Sequence, residues 1–363
     1  MAAAPQPAST AHDPIRPWFK ALESLGEYIG IRYGRVNPET NEVEWFFLPH
    51  TEFDGIGAFV HLMREAGAEV TSLPQITHPA PLNWASFMRL IPRMMAPRKR
   101  LKWQALPQGE PMSNTQQPPP AVAWHVFSEE DTAKLRRASR LANVSVNSLL
   151  LKYLDRAVRA DLEDPSSAIP WMIPVNMRGK VNQQSELANH SSYIGIRIFA
   201  SESVKDVHRH IYDAIGKGQH CGNWKALDAT GWTSEPTKQK MLVMDRATLQ
   251  WNLGGFSNLG VWDREKAITA EKCQGPWLFS PPVLSTQLVG AGCITFQGRL
   301  SLTLQIHPNL TTSPEVASKW MRTWVREIEF DFPNVLPDEP VPTQGLIHPF
   351  PGISSPDSAR TGS

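Results

Sequence analysis

Phe46-Phe47-Leu48-Pro49-His50-Thr51-Glu52-Phe53-Asp54-Gly55 is the stretch on which the reading of this chain turns. An apolar strand runs into a histidine, and after three further residues an aspartate and a glycine open a helix. A strand end holds an imidazole on a rigid support, and its ordinary pKa of about 6.5 suits a general base. In that arrangement Asp54 turns away to pair with a cation, and Gly55 lets the backbone pass closely. The same residues also fit a plainer account. There His50 is a strand-end histidine satisfied by nearby backbone, and Asp54 is only the N-cap of the helix. Spacing alone leaves both accounts open.

The flanking sequence supports the strand and the helix. Tyr28–Val36 and Val43–Leu48 read as a hairpin around the turn Asn37-Pro38-Glu39-Thr40-Asn41. Residues 54–66 carry Ile56, Phe59, Val60 and Met63 at helical spacing, with Gly67 behind them. Pro17 to Leu25 reads as an earlier helix. The Pro- and Gln-rich run from Gln104 to Ala121 reads as an exposed connection. Ser128 caps a helix bearing Leu135, Ala138 and Leu141, and a second helix spans about Ser145–Ala160. After Asp164-Pro165-Ser166-Ser167 come strands Ile169–Val175 and Tyr193–Phe199, then a helix from Ser201. Further on lie a helix near Lys238–Gln250, strand segments near Leu278–Leu288, Cys293–Phe296 and Leu300–Ile306, and a last helix from Ser313 to Glu327. These elements divide the chain into a tail at 1–12, a first half at 13–165, a second half at 166–345 and a tail at 346–363.

Composition narrows the function classes. The chain has 363 residues, 41% hydrophobic and 20% charged, which describes a globular α/β protein rather than a disordered one. Its formal net charge is +1, so no overall field draws it to nucleic acid. No apolar run approaches the roughly 20 residues that span a bilayer. The opening MAAAPQPASTAHDP has neither a basic nor an apolar signal region, and Cys221, Cys273 and Cys293 are odd in number and scattered. Both observations point to reduced thiols and a cytoplasmic location. The 32 prolines and 13 tryptophans imply many loops and large apolar surfaces for cores or pockets.

With these elements in place, His50-Thr51-Glu52-Phe53-Asp54-Gly55 resembles the HxxxDG signature of the chloramphenicol acetyltransferase-like superfamily. That group includes BAHD acyltransferases, non-ribosomal peptide condensation domains, wax ester synthases and polyketide-associated acyltransferases. The likeness continues in order along residues 25–330. The helices between Ser128 and Ala160 resemble the pair that closes the first half. Ile173-Pro174-Val175-Asn176-Met177-Arg178-Gly179 resembles the strand that opens the second half, where relatives carry an arginine bound to the motif aspartate. Asn189–Gly195 resembles the next strand, and Phe256-Ser257-Asn258-Leu259-Gly260 the "SNLG" segment beside the cleft. Pro49 stands where relatives with the fuller HHxxxDG form carry a second histidine, and His50 falls earlier than in a typical condensation domain.

The resemblance implies two α/β sandwich halves meeting at a central active-site tunnel, with a thioester donor entering one face and an acceptor the other. It implies His50 as general base, Asp54 and Arg178 as a structural ion pair, and Ser257 or Asn258 as hydrogen-bond donor to an oxyanion. Expected partners are a small-molecule acyl donor and acceptor. Acyl-CoA is the favoured co-substrate and an acyl or peptidyl carrier protein the other source; no cofactor is permanently bound and no metal is implied. A free-standing condensation-type enzyme and a non-catalytic binding module are the rival readings.

Other features weigh less. Between Phe87 and Trp103 the cations Arg89, Arg93, Arg98, Lys99, Arg100 and Lys102 stand with no acid among them. Arg98, Lys99 and Arg100 are candidates for donor phosphates, against a solvated basic loop with Met and Leu beneath. Pro92 and Pro97 interrupt any long helix there, so contact with an anionic membrane surface is not favoured. His208 and His210 are two apart on a helix and face apart. Gly255–Leu259 nearly matches the hydrolase elbow G-x-S-x-G, but leucine fills its last position.

Overall fold

The computed structural model describes residues 13–75, 81–94, 101–111, 119–181, 183–248, 253–262 and 273–335. In chain order its elements are α1 (Arg16–Ser24), β1 (Gly30–Val36), β2 (Val43–Pro49), α2 (Gly55–Glu65), α3 (Trp84–Met88) and α4 (Ile91–Met94), followed by β3 (Val122–Val126), α5 (Glu129–Leu141) and α6 (Val146–Arg159). Next come β4 (Ile169–Asn176), β5 (Ser191–Ile198), α7 (Val204–Gly216), α8 (Gln219–Thr230) and α9 (Glu235–Thr248). The chain continues with β6 (Gly254–Val261), β7 (Trp277–Ser280), β8 (Val289–Phe296), β9 (Arg299–Ile306) and α10 (Pro314–Val335). The tails at 1–12 and 346–363 lie outside the described residues.

Local chemistry explains most element ends. Asn37 Oδ1 accepts from the Glu39 amide at 2.9 Å, and Asn41 takes the left-handed φ of 58° that closes the hairpin turn. Ser128, Ser145 and Ser203 cap α5, α6 and α7 through their hydroxyls. The strand expected to run from Leu278 to Leu288 stops at Ser280. Pro281 and Pro282 cannot donate to a ladder, and residues 284–287 form a tight isolated bridge instead. The last helix reaches Val335 rather than Glu327.

Two sheets result, giving an α/β architecture. The smaller is ordered β2-β1-β7 and the larger β3-β9-β8-β6-β4-β5, with β4, β6 and β8 mutually parallel and the other pairs antiparallel. Both sheets draw strands from both sides of residue 165. β7 pairs with β1 across more than two hundred residues of chain, and β3 pairs with β9. The junction at 164–168 is tied down by Arg159, which donates to Pro165 O at 2.7 Å, Ser167 O at 2.6 Å and Ile198 O at 2.8 Å while pairing with Asp155.

Strand alternation sorts side chains between two cores. Leu302, Leu304 and Ile306 of β9 face the larger core with Leu150, Leu154, Trp171, Trp320 and Trp324. The indole N–H groups of those three tryptophans are bonded to Asp155, Asp161 and the Leu150 carbonyl, so their burial leaves no donor unmet. The opposite face of β9 carries buried Ser301, Thr303 and Gln305. Thr303 Oγ1 donates to Phe279 O and Gln305 Nε2 to Pro281 O, which pins β7 and its following loop across the large sheet. Gly292 is required at that crossing, since a Cβ there would lie 2.0 Å from Phe279 O. The second core, around Tyr33, Phe59, Trp262, Trp277 and Phe296, fills the space between the small sheet, α2 and the large sheet.

Helix α8, which the sequence did not disclose, covers the β5 edge. Gln219 Oε1 accepts from Gly195 N at 2.7 Å and Asn223 Nδ2 donates to Tyr193 O at 2.7 Å, occupying groups an open edge would expose. Among the described residues no helix is long and apolar enough to cross a membrane.

Candidate active site

Strand β2 ends at Pro49, whose carbonyl accepts from Glu52 N at 3.1 Å and Phe53 N at 3.2 Å, so the chain turns sharply around His50. The His50 amide donates to Ile29 O at 3.3 Å, holding the turn against the start of β1. In the side chain, Nδ1 lies 2.7 Å from Phe53 O. A carbonyl only accepts, so Nδ1 carries the proton and Nε2 keeps its lone pair. Asn189 Nδ2 donates to His50 O at 3.3 Å and lies 3.2 Å from Nδ1, where the shorter Phe53 O contact takes the proton; Asn189 Oδ1 accepts from Ser191 N at 3.0 Å, which sets the orientation of that amide. Burial pushes the His50 pKa below its ordinary 6.5, against the smaller opposing effects of the Phe53 hydrogen bond and the Asp54 charge. The imidazole is therefore neutral at pH 7, with its base lone pair on Nε2, which has no hydrogen bond among the described residues.

Asp54 does two jobs at once. It caps α2 by accepting from Gly57 N at 2.7 Å, with φ −91° and ψ 179°. It is also gripped from the far side by Arg178, whose Nη1 and Nη2 donate to Oδ2 at 2.8 Å and Oδ1 at 2.9 Å. Their side chains are 1% and 4% exposed, so this is a buried bidentate pair. His190 N adds a bond to Oδ2 at 2.9 Å. Burial on its own would raise the Asp54 pKa; the Arg178 charge and the bonds from Arg178, Gly57 and His190 outweigh it and hold the carboxyl below its ordinary value. Arg178 further donates to Glu186 O at 3.0 Å and Ala188 O at 3.2 Å. One carboxylate and one guanidinium thus tie together the His50 turn, the end of β4 and the 186–191 loop.

Glycines make this junction possible. Tyr33 donates its hydroxyl to Gly55 O, and a Cβ on Gly55 would meet Leu259 Cδ2 at 2.7 Å. A Cβ on Gly57 would lie 2.0 Å from the Leu187 carbonyl oxygen, which is backbone held in the Arg178 network. Gly57→Ala is accordingly expected to cost about 1–3 kcal/mol of stability by overpacking. Gly55→Ala should cost less, because a leucine side chain yields where backbone does not. Chemical denaturation of the two variants checks this order; an equal or more stable Gly57→Ala protein would contradict the packing.

The remaining sequence candidates are placed as follows. Ser257 and Asn258 lie inside β6, Ser257 being paired with Gly292 of β8. Phe256 enters the larger core, so its neighbour Ser257 faces the other side of the sheet, toward the second core and the N-terminus of α2. Asn258 points the opposite way: its amide donates to Asn147 Oδ1 on α6, and its Oδ1 accepts from Gly260 N at 2.8 Å. Position within a continuous strand also separates Ser257 from a hydrolase elbow, which needs a strand-to-helix turn. Arg98, Lys99 and Arg100 lie outside the described residues. His210 pairs with Glu202 at 2.7 Å, and His208 Nδ1 accepts from Ser145 N at 3.1 Å. Among the described residues no three His, Cys, Asp or Glu side chains gather as metal ligands would.

Three contributors went unread in the sequence. Gly57 had a local signal, the second glycine two positions after Gly55. Asn189 directly precedes β5 and carries no signal of its own, and Phe19 on α1 has no local signal at all, yet its ring lies 4.5 Å from the His50 ring, centroid to centroid, at 31°.

No family model matches the chain, and no curated protein sequence matches it significantly. Solved structures do match. The trichothecene 15-O-acetyltransferase TRI3 of Fusarium sporotrichioides aligns with a TM-score of 0.53 at 12% identity, covering 79% of this chain and 66% of that one. The cyclization-docking bidomain of the EpoB non-ribosomal peptide synthetase from Sorangium cellulosum gives 0.52 at 11% identity, covering 82% and 61%. The first condensation domain of the calcium-dependent antibiotic synthetase gives 0.51 at 11% identity, covering 80% and 64%. The chain thus spans somewhat under two thirds of the length of these proteins. At such identities the likeness is one of architecture: the chain has the fold that these three proteins share.

Proposed function

We propose that the protein is an acyltransferase that moves an acyl group from a thioester, acyl-CoA in the favoured form, to an alcohol or amine. The observation carrying this reading is the His50 imidazole at the end of β2 with Nδ1 2.7 Å from Phe53 O, which commits the proton there and leaves Nε2 as base; burial, which lowers its pKa, favours the neutral ring. As the acceptor oxygen or nitrogen attacks the thioester carbonyl, Nε2 takes its proton. The new carbon–heteroatom bond forms and the carbonyl electrons move onto oxygen. Collapse of that oxyanion breaks the C–S bond, and the departing thiolate recovers the proton from His50. No acyl-enzyme is formed.

Ser257 is the better of the two oxyanion donors, since the Asn258 amide is already spent on Asn147. Asp54 and Arg178 act at a distance by fixing the turn that carries His50. In this reading donor and acceptor reach His50 from opposite mouths of a tunnel between residues 13–165 and 166–345. Arg98, Lys99 and Arg100 would meet the coenzyme's phosphates. Three buried thiols, Cys221, Cys273 and Cys293, accord with work in a reducing, cytoplasmic setting.

The likeness to condensation domains supports a second source for the donor, a thioester borne on a carrier protein's phosphopantetheine arm. Titration calorimetry with coenzyme A and with pantetheine, at low and raised salt, separates the two. Salt-sensitive binding of coenzyme A that weakens in the Arg98/Lys99/Arg100→Ala protein supports free acyl-CoA. Equal weak binding of both ligands, unchanged by those substitutions, would assign the donor to a carrier. The activity itself is read by thiol release and product mass when acyl-CoA is supplied with panels of alcohols and amines.

A further inference from the structure

Helix α1 bears none of the motif residues, yet it is firmly seated beside them. Asp13 Oδ1 accepts from Ile15 N at 2.9 Å and Arg16 N at 3.1 Å, which caps its first turn. At its other end Ser24 Oγ donates to Glu235 Oε1 at 3.1 Å and accepts from Gln239 Nε2 at 2.9 Å, docking it on α9. Lys238 Nζ, also on α9, lies 5.8 Å from the centre of the Trp18 ring. Phe19 is thereby placed against the larger core on one side and against the His50 ring on the other.

The His50 side chain needs such a neighbour. One hydrogen bond, from Nδ1 to Phe53 O, fixes a point on the ring but leaves the ring free to pivot about that bond. Asn189 Nδ2 lies 3.2 Å from that same Nδ1 and donates to the His50 carbonyl at 3.3 Å, so it bears on the same end of the ring and on the turn, and leaves the ring plane unset. A phenyl ring tilted 31° from the imidazole at 4.5 Å lies over one face and blocks the pivot. It also keeps water from that face, leaving the Nε2 edge as the direction of approach.

We propose that Phe19 is a positioning residue for His50: from α1 it holds the imidazole plane so that Nε2 meets the acceptor, and it excludes water from the covered face. This rests on His50 being the base in acyl transfer, but the contact can be tested without turnover. The test uses full-length protein labelled with 15N-histidine, with His50 resonances identified by their loss in His50→Gln. Phe19→Ala, Phe19→Leu and Phe19→Tyr are titrated alongside the parent.

Phe19→Ala is expected to raise the His50 titration midpoint toward the ordinary 6.5 and to increase the fraction protonated on Nε2 at pH 8. Phe19→Leu, which keeps apolar volume and guards against misfolding, should show the same changes to a lesser degree, and Phe19→Tyr should restore the parental behaviour. In turnover, kcat should fall about tenfold in Phe19→Ala with KM little changed, in keeping with the steep dependence of rate on the placement of reacting groups. A His50 midpoint and tautomer balance unchanged in both the alanine and leucine variants would overturn the positioning role. Altered His50 resonances with undiminished transfer would uphold the contact and overturn the general-base reading.

Discussion

Replacing His50 with alanine is expected to leave the protein folded and to lower thioester turnover by about 10²–10⁴, the usual effect of removing a general base. The fold should survive because, among the described residues, the polar contacts of the imidazole are confined to Nδ1, with Phe53 O and Asn189 Nδ2, while its turn is held by backbone bonds to Ile29 and Pro49. The pH profile sharpens the expectation. The active form is neutral, and burial places the His50 pKa below 6.5, so kcat/KM should rise with pH through that lowered value and be level from about neutrality upward. An acid limb centred above 6.5 would mean the imidazole is not buried in solution. Parental turnover in a pure His50→Ala protein would remove His50 from the mechanism altogether.

Sequence patterns reached the local parts of this site and stopped where distant segments meet. The strand ending at His50 and the helix capped by Asp54 follow from a run of apolar residues, a capping type and a glycine, all within ten positions, and they lie where those signals put them. Arg178 was identified through the ordered resemblance, because nothing in Met177-Arg178-Gly179 itself indicates a carboxylate 124 residues away. Asn258 looked equivalent to Ser257 in sequence, but strand alternation sends the two to opposite faces of β6. The division at residue 165 marked a true loop, yet strand pairing disregards it: β7 returns to β1, and β3 joins β9. Such pairings depend on long-range packing, including the Thr303 and Gln305 bonds that seat β7, and leave no periodic trace in the chain. Phe19 shows the same limit from the other direction. Its helix was legible as a helix, while the imidazole it covers lies 31 positions further along, fixed by how α1 docks on α9.

The Asp54–Arg178 pair should dominate the stability of the same junction. Asp54→Asn keeps a side chain able to cap α2, and so removes the charge more than the cap. It leaves the Arg178 guanidinium buried with the carbonyls of Glu186 and Ala188 and the Asn176 side chain, but no anion. Arg178→Gln leaves Asp54 buried, among the described residues, with the Gly57 and His190 amides and the Ser191 hydroxyl as its partners. Each variant strands a charge out of water, so each is expected to cost about 3–5 kcal/mol, measured by denaturant unfolding. The double variant strands neither charge and should lose clearly less than the sum. The pH dependence has a definite sign. Because the folded pKa of Asp54 lies below its ordinary 3.8, the pair contributes fully above that value. Its contribution then disappears as pH falls through the lowered folded value, so the stability gap between the parent and Asp54→Asn should narrow only below about pH 3.8. Strict additivity of the two substitutions, or a gap independent of pH in that range, would mean that the carboxylate and the guanidinium do not stabilise one another.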